Sequence, residues 1–178
     1  MVGKWKDLID EKYTNSCLNL LKQFELKTDL NNNISNEALY QATEMMQNNK
    51  VNQVVTINPE MFDTAEVDEE FARILNEAEM VTPDGIVIKI ALKLLGKDVE
   101  RIAGVDFARR LIDISAIHNL PIALIGAKPE IIDKAVENLK NDVQNINIVY
   151  SHDGYFQNDD DILNELKQVS PKLVLVAL

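Results

Sequence analysis

Residues 121–150 read PIALIGAKPEIIDKAVENLKNDVQNINIVY, and they carry the clearest structural pattern in the chain. An apolar run at 121–125 ends at Gly126, and residues 129–141 then carry apolar side chains at helical spacing. A second apolar run follows at 146–150. Two short apolar runs joined by an amphipathic helix are typical of two parallel strands with a crossover helix. The stretch therefore predicts a strand–helix–strand unit.

The segments on either side continue the same alternation. Apolar or β-branched runs predict further strands at 51–57, 80–81 and 172–178. Helical spacing predicts helices at 36–48, 68–79, 86–95, 106–118 and 159–169. The alternation predicts an α/β fold with a Rossmann-like, mostly parallel sheet and helices on both faces. Residues 1–50 are polar and rich in Asn, and we expect them to form a leader with amino-terminal helices that pack on an α/β core at 51–178.

The net negative charge of the chain argues against two classes of negatively charged binding partner. Of its 178 residues, 18 are Lys or Arg and 29 are Asp or Glu, so the formal net charge is −11. Nucleic acids and anionic membrane surfaces both attract basic proteins, so this charge argues against either as a direct partner. No apolar run reaches the ~18 residues of a membrane-spanning helix, and we therefore expect a cytoplasmic protein.

Cysteine and histidine are too few to build a disulfide framework or a metal site. The chain has one cysteine, Cys17, and two histidines, His118 and His152. The sequence therefore predicts neither a multi-cysteine nor a histidine-rich metal site, and we expect no metal and no cofactor. The glycine patterns of dinucleotide-binding and P-loop proteins are also absent, which argues against a nucleotide-dependent oxidoreductase.

Polar or glycine-containing turns follow four of the predicted strands. They lie at 56–59, 83–85, 126–129 and 151–155. Ligands bind beyond the carboxyl ends of the strands in open parallel sheets. We therefore expect the binding site to form from these turns, along one edge of the sheet.

Asp84, in the turn after the second strand, has two interpretations. As the residue before a predicted helix, it is suited to cap the free N–H groups of that helix. As a carboxylate beside an apolar helix, it is suited to act as a general base that takes a proton from a substrate hydroxyl. The spacing alone favours the cap.

The positive side chains near the other turns also have two interpretations each. Lys128 follows Gly126 at the start of a predicted helix, where its ammonium and the helix N–H groups would suit a diphosphate. The alternative is an ordinary turn with a solvated lysine. Arg101 lies between two apolar helices and either clamps a phosphate or carboxylate or pairs with Glu100 or Asp106 on the surface.

Four further polar residues stand at strand ends. Thr56 and Asn58 follow the first strand, and they either bind a sugar or nucleotide or only terminate the strand. His152 and Asp153 follow a later strand and would form an acid–base pair if their side chains faced each other. Adjacent loop residues need not do so, and a structural role for this pair is favoured.

Taken together, five short strings resemble the WecB/TagA/CpsF family of bacterial glycosyltransferases, glycosyltransferase family 26. In family order they are VVTINPE at 54–60, VTPDG at 81–85, ERIAGVD at 100–106, GAKP at 126–129 and HDGYF at 152–156. None of the strings is decisive alone, but the set is specific and covers the chain from about residue 51 to its end.

The resemblance implies an inverting, metal-independent transfer of an amino sugar from a UDP-sugar to a polyprenyl-diphosphate-linked sugar. In the teichoic-acid branch the donor is UDP-N-acetylmannosamine and the acceptor sugar is N-acetylglucosamine. The family's proposed general base is the Asp of the PDG motif, which corresponds to Asp84 and is followed by Gly85. Thr56 and Asn58 would line the same pocket. Arg101 and the Gly126–Lys128 turn would bind the donor or its diphosphate, and we expect His152 to contact a substrate.

The chain also departs from the family pattern. After the last strand the family continues into a Gly-Ala-Pro-Lys-Gln-Glu turn and a basic segment that meets the membrane, whereas this sequence stops at Leu178. The resemblance therefore predicts a core truncated at its last strand, whose membrane contact depends on a segment missing here. The alternative function is a catalytically inactive nucleotide-binding or interaction module. Apolar surface that the missing segment would cover also predicts a homo-oligomer.

Overall fold

The computed structural model describes residues 34–48, 50–84 and 103–177. The elements in chain order are α1 (Ile34–Gln47), β1 (Val54–Ile57), α2 (Pro59–Val67), α3 (Glu69–Glu77), β2 (Met80–Pro83), α4 (Gly104–Ile117), β3 (Pro121–Gly126), α5 (Pro129–Asp142), β4 (Asn147–His152), α6 (Asp159–Val169) and β5 (Leu173–Ala177). The chain divides into two compact units. The amino-terminal unit contains residues up to 42 together with 50–107, and the carboxyl-terminal unit contains 43–49 and 108–178.

The amino-terminal unit is built on two parallel strands. β1 and β2 pair in register from Val54 opposite Met80 to Ile57 opposite Pro83. The ladder continues past the strand ends, because the backbone N–H of Asp84 donates to the carbonyl of Ile57 at 2.9 Å. Between the strands, α2 and α3 pack against each other and bury Phe62 and Leu75, which are 0% and 2% exposed. This burial fixes the strands whose carboxyl ends carry the candidate site.

The carboxyl-terminal unit is a three-stranded parallel sheet in the order β4-β3-β5. The central strand β3 is buried along most of its length, since Ile122 and Ala123 have no exposed surface. Helix α5 packs against β3 and β4, which is the strand–helix–strand unit that residues 121–150 predict. The buried core of this unit consists of Ile112, Ala116, Ile122, Leu124 and Val143.

The α/β class and the parallel pairing of the strands are confirmed. The five described strands pair as a sheet of two and a sheet of three, where the sequence pattern favours one sheet. The sequence pattern does not predict α2. This helix starts at Pro59 with Asn58 as its cap, and the residue after its end, Asp68, caps α3. The predicted helix at 86–95 and most of the predicted leader lie outside the described residues, and the domain division at residue 50 stays a prediction.

The described residues show neither a membrane-spanning helix nor a cluster of metal ligands. Of the helices that the structure describes, none is both long and apolar enough to cross a bilayer. Within residues 34–48, 50–84 and 103–177, no group of three or more His, Cys, Asp or Glu side chains is placed to hold a metal ion.

Candidate active site

Asp84 is held at the amino terminus of a helix that starts twenty residues further along the chain. Its Oδ2 accepts the backbone N–H of Gly104 at 3.0 Å, and Gly104 is the first residue of α4. The first N–H groups of a helix lack partners within the helix, and the helix dipole favours negative charge there. The carboxylate is half-buried. The amino terminus of α4 therefore orients Asp84, while the predicted helix directly after Asp84 lies outside the described residues.

Thr56 contacts the same helix start from the neighbouring strand. A Cβ atom added to Gly104 would lie 2.9 Å from Oγ1 of Thr56 and 3.2 Å from both its Cβ and its Cγ2. Real Cβ atoms almost never approach another atom this closely, so only glycine allows the backbone of α4 to pack here. Thr56 and Asp84 therefore both lie against Gly104.

Gly104 and Thr82 are the two residues of this site that sequence reasoning missed. Thr82 lies in β2 directly opposite Thr56, is 2% exposed, and its Oγ1 is the buried side-chain oxygen without a hydrogen-bond partner among the described residues. The ERIAGVD string placed Gly104 within a motif, but only the fold shows that its N–H faces Asp84.

Asn58 has a defined structural role. Its Oδ1 accepts the backbone N–H of Met61 at 3.0 Å and so caps α2. The amide nitrogen of an asparagine carries two donor protons in addition to this acceptor. Asn58 directly follows β1 and caps α2, so it has the structural role that one of its two interpretations expects. Substrate binding by this half-buried residue stays a prediction.

The strand ends of the carboxyl-terminal unit are tied together around Ala127. Its N–H donates to the carbonyl of Ala177 at 3.0 Å, and its carbonyl accepts the N–H of Gly154 at 2.9 Å. Gly126 has a φ of +131°, and a Cβ there would overlap the carbonyl of Ala177. Backbone hydrogen bonds thus join the turns after β3 and β4 to the last residue of β5, and a glycine stands where the close approach requires one.

Lys128 stands at the start of α5. It is the residue before the first helical turn, is exposed, and makes no side-chain capping bond; Pro129 follows at the first position. Without a capping side chain, this helix terminus keeps the character of an anion site. The local geometry suits a phosphate group, with the Lys128 ammonium adding a positive charge.

His152 and Asp153 do not form an acid–base pair through their side chains. Nδ1 of His152 lies 2.8 Å from the backbone carbonyl of Asp153, and this contact requires Nδ1 to carry the hydrogen. The Asp153 carboxylate accepts the N–H of Tyr155 at 2.7 Å instead. The imidazole lies edge-on to Phe156, with ring centroids 5.9 Å apart. The structural interpretation of this pair is favoured, and substrate binding by His152 stays a prediction.

The structure thus brings together some of the predicted residues. Asp84 and Thr56 meet at Gly104 in the amino-terminal unit, and Asn58 follows Thr56 by two residues. Gly126, Lys128 and His152 belong to the carboxyl-terminal unit. Gly85 and Arg101 lie outside the described residues.

Parallel strands with a carboxylate and polar turns at their carboxyl ends define an α/β protein of the kind that binds small ligands at that edge. The family model described as "Glycosyl transferase WecG/TagA/CpsF family" matches residues 25–178. The chain therefore belongs to the WecG/TagA/CpsF family of glycosyl transferases.

Two curated relatives support this assignment. A Bacillus spizizenii protein named N-acetylglucosaminyldiphosphoundecaprenol N-acetyl-beta-D-mannosaminyltransferase is 31% identical over 137 residues, which are 76% of this chain and 53% of the relative. A Bacillus subtilis protein of the same name is 29% identical over 126 residues, which are 70% of this chain and 49% of the relative. The chain spans about half the length of these relatives.

Proposed function

We propose that this protein is an inverting, metal-independent glycosyltransferase. It moves N-acetylmannosamine from a UDP-sugar to a polyprenyl-diphosphate-linked N-acetylglucosamine, in the synthesis of a teichoic acid or another surface polysaccharide. The observation that supports this most is the Asp84 carboxylate, which Gly104 holds beside Thr56 at the carboxyl end of parallel strands. The names of the two relatives supply the sugar and the acceptor.

Asp84 is the general base in this mechanism. It takes the proton from an acceptor hydroxyl as that oxygen attacks the anomeric carbon, and the bond from that carbon to UDP breaks with its electron pair on UDP. A carboxylate has about four lone-pair sites, so the bond from Gly104 is compatible with proton transfer. One displacement on an α-linked donor gives the β linkage that the relatives' names specify.

The charge that develops on the leaving diphosphate needs compensation by fixed donors and cations. We assign this role to the amino terminus of α5 with Lys128 and the Gly126 turn, and to Arg101. Asn58, Gly85 and His152 complete the substrate-binding set, and Thr56 assists at the catalytic carboxylate. Because the acceptor is lipid-linked, we place the reaction at the cytoplasmic face of the membrane.

The test is a transfer assay with the protein in its natural full length. UDP-N-acetylmannosamine and a short polyprenyl-diphosphate-N-acetylglucosamine are the substrates, with UDP-N-acetylglucosamine as the competing donor and EDTA present throughout. We expect a disaccharide product only from the mannosamine donor, undiminished by EDTA. Saturable UDP binding without any transfer would contradict the proposal and favour the inactive nucleotide-binding module.

A second arm tests the diphosphate site by calorimetry. Lys128→Ala is expected to weaken UDP binding about tenfold, because it removes a charge-assisted hydrogen bond at an exposed position. Lys134→Ala makes the same change of charge further along the same helix, where the side chain is also exposed, and is expected to leave the affinity unchanged. Equal affinities for the two variants would remove Lys128 from the site.

A further inference from the structure

Thr82 lies on the same face of the strand pair as the two candidate catalytic residues. It is register-paired with Thr56 on the adjacent strand, and residues that pair in this way point to the same side of a sheet. Asp84 follows it by two residues, and the backbone bond from Asp84 to Ile57 continues the strand ladder to that point. Because side chains alternate along a strand, Thr82 shares its face with Asp84 as well.

The hydroxyl of Thr82 is the unexplained feature of this face. The residue is 2% exposed, and Oγ1 has no hydrogen-bond partner among the described residues. A buried polar group without a partner destabilises the folded state, and such groups are rare in native proteins. Ser115 shows the usual solution: it is also fully buried, but its Oγ donates to the carbonyl of Leu111 at 2.7 Å.

The chemistry of the hydroxyl indicates which partner would suit it. A threonine hydroxyl both donates and accepts a hydrogen bond, as the hydroxyl and acetamido groups of a sugar do. A phosphate group would instead be held by cations and helix N–H groups, which the proposed diphosphate site supplies. A partner for Thr82 that arrives at Asp84 is therefore a neutral, polar substituent of a sugar.

We propose that Thr82 is a substrate-contacting residue whose hydroxyl bonds a hydroxyl or acetamido group of the acceptor sugar, next to the hydroxyl that Asp84 deprotonates. The inference rests on the proposed function of Asp84 and adds a specificity determinant to that site. A site that is built to bond a polar substituent rejects a substrate that lacks it, because the buried group is then left without a partner. Thr82 thus selects the acceptor, and the stability that its unpaired hydroxyl removes from the free protein is the consequence of that selectivity.

The experiment compares Thr82→Val with Thr82→Ser. Valine keeps the shape and removes the hydroxyl, so the free protein is expected to melt at the same temperature or higher. The same variant is expected to lose about 10- to 100-fold in kcat/KM for the acceptor, while KM for the UDP-sugar stays unchanged. Serine keeps the hydroxyl and is expected to retain kcat/KM within about threefold. Ser115→Ala is the matched control, since it removes a paired buried hydroxyl and should lower the melting temperature without changing acceptor kinetics.

Acceptor analogues that each lack one polar substituent identify the partner. With the analogue that lacks the substituent bound by Thr82, wild type and Thr82→Val should react at the same rate, because the hydrogen bond to Thr82 is absent in both.

Three results would overturn the inference. A lower melting temperature of Thr82→Val without ligand would mean that the hydroxyl already has a partner in the free protein, such as a resident water. Unchanged acceptor kinetics of Thr82→Val, with an active wild type and an inactive Asp84→Asn, would refute the role of Thr82 alone. A wild type that transfers no sugar would refute the proposed function and this inference together.

Discussion

At the scale of single residues, the candidate site depends on a glycine as much as on its carboxylate. Gly104 donates its N–H to Asp84 and leaves room for Thr56 against the start of α4. A side chain at this position would separate the strand end from the helix end. Gly104 is therefore a positioning residue for the proposed base.

Replacement of this glycine gives the first prediction. Gly104→Ala is expected to destabilise the protein by about 1–3 kcal/mol, because the new Cβ overlaps the Thr56 side chain. Val105→Ala, at an exposed position one residue further along the same helix, is the control and should have little effect. Chemical denaturation of both variants measures the difference. Equal stability of Gly104→Ala and wild type would refute the close packing described here.

At the scale of elements, two short helices start with similar caps but have different expected roles. Asn58 accepts the N–H of Met61, and Asp68 accepts the N–H of Phe71, each at 3.0 Å. Each bond satisfies one of the free donors at the start of a nine-residue helix. Only Asn58 lies at the candidate site.

Alanine variants of Asn58 and Asp68 distinguish a residue that only caps a helix from one that also binds substrate. Asn58→Ala and Asp68→Ala are each expected to lower stability by about 1 kcal/mol, because each loses a capping bond. Transfer activity should fall only for Asn58→Ala, and Asn58→Asp should restore the cap and the stability. Activity losses of the same size in both alanine variants, measured below their melting temperatures, would leave Asn58 as a cap alone.

A hydrogen bond between β4 and α6 predicts that the stability of the protein depends on pH. The Tyr150 hydroxyl donates to Glu165 Oε2 at 2.7 Å. Burial, with the hydrogen bond and the charge of Glu165 adding to it, raises the pKa of Tyr150 to about 12. An unfolded tyrosine titrates near pH 10. The folded state therefore holds this proton more tightly, and the resulting stability is present below pH ~10 and lost as the pH rises towards 12.

Tyr150→Phe is accordingly expected to be less stable than wild type at pH 8 and to converge with it as the pH approaches 12. Urea unfolding at pH 8, 10 and 11.5 measures the free energies of unfolding. Tyr155→Phe, at an exposed position, is the control and should follow the wild-type profile. A constant difference between Tyr150→Phe and wild type across this range would contradict the raised pKa.

At the scale of the whole molecule, the sequence predicts local elements better than their assembly. The alternation of apolar runs and amphipathic helices indicates parallel strands, because each strand must be followed by a crossover helix. It does not say which strands pair, and the described strands form a sheet of two and a sheet of three. The sequence pattern does not predict α2, because apolar residues show only weak helical spacing over 59–67. Asn58 followed by Pro59 marks the start of this helix, but the same pair is also typical of a turn.

The same limit applies to the candidate site. Asp84 and Thr56 could be singled out because each lies near the carboxyl end of a recognisable strand, within a short motif. The roles of Gly104 and Thr82 depend on contacts across 48 and 26 positions of the chain with Thr56, and no local pattern encodes those distances. Long-range pairing decides which polar groups meet, and only the fold supplies it.

Asp84 is the proposed general base that removes the acceptor proton, and the single-turnover rate of Asp84→Asn is the decisive measurement of that role. Asparagine can still accept the Gly104 N–H through its carbonyl oxygen, so the variant should fold, with its stability lowered by only about 1 kcal/mol through the loss of the charge at the start of α4. It cannot take up a proton, so the rate of transfer at saturating substrates should fall by about 100- to 10,000-fold. Wild-type turnover by Asp84→Asn would contradict the account.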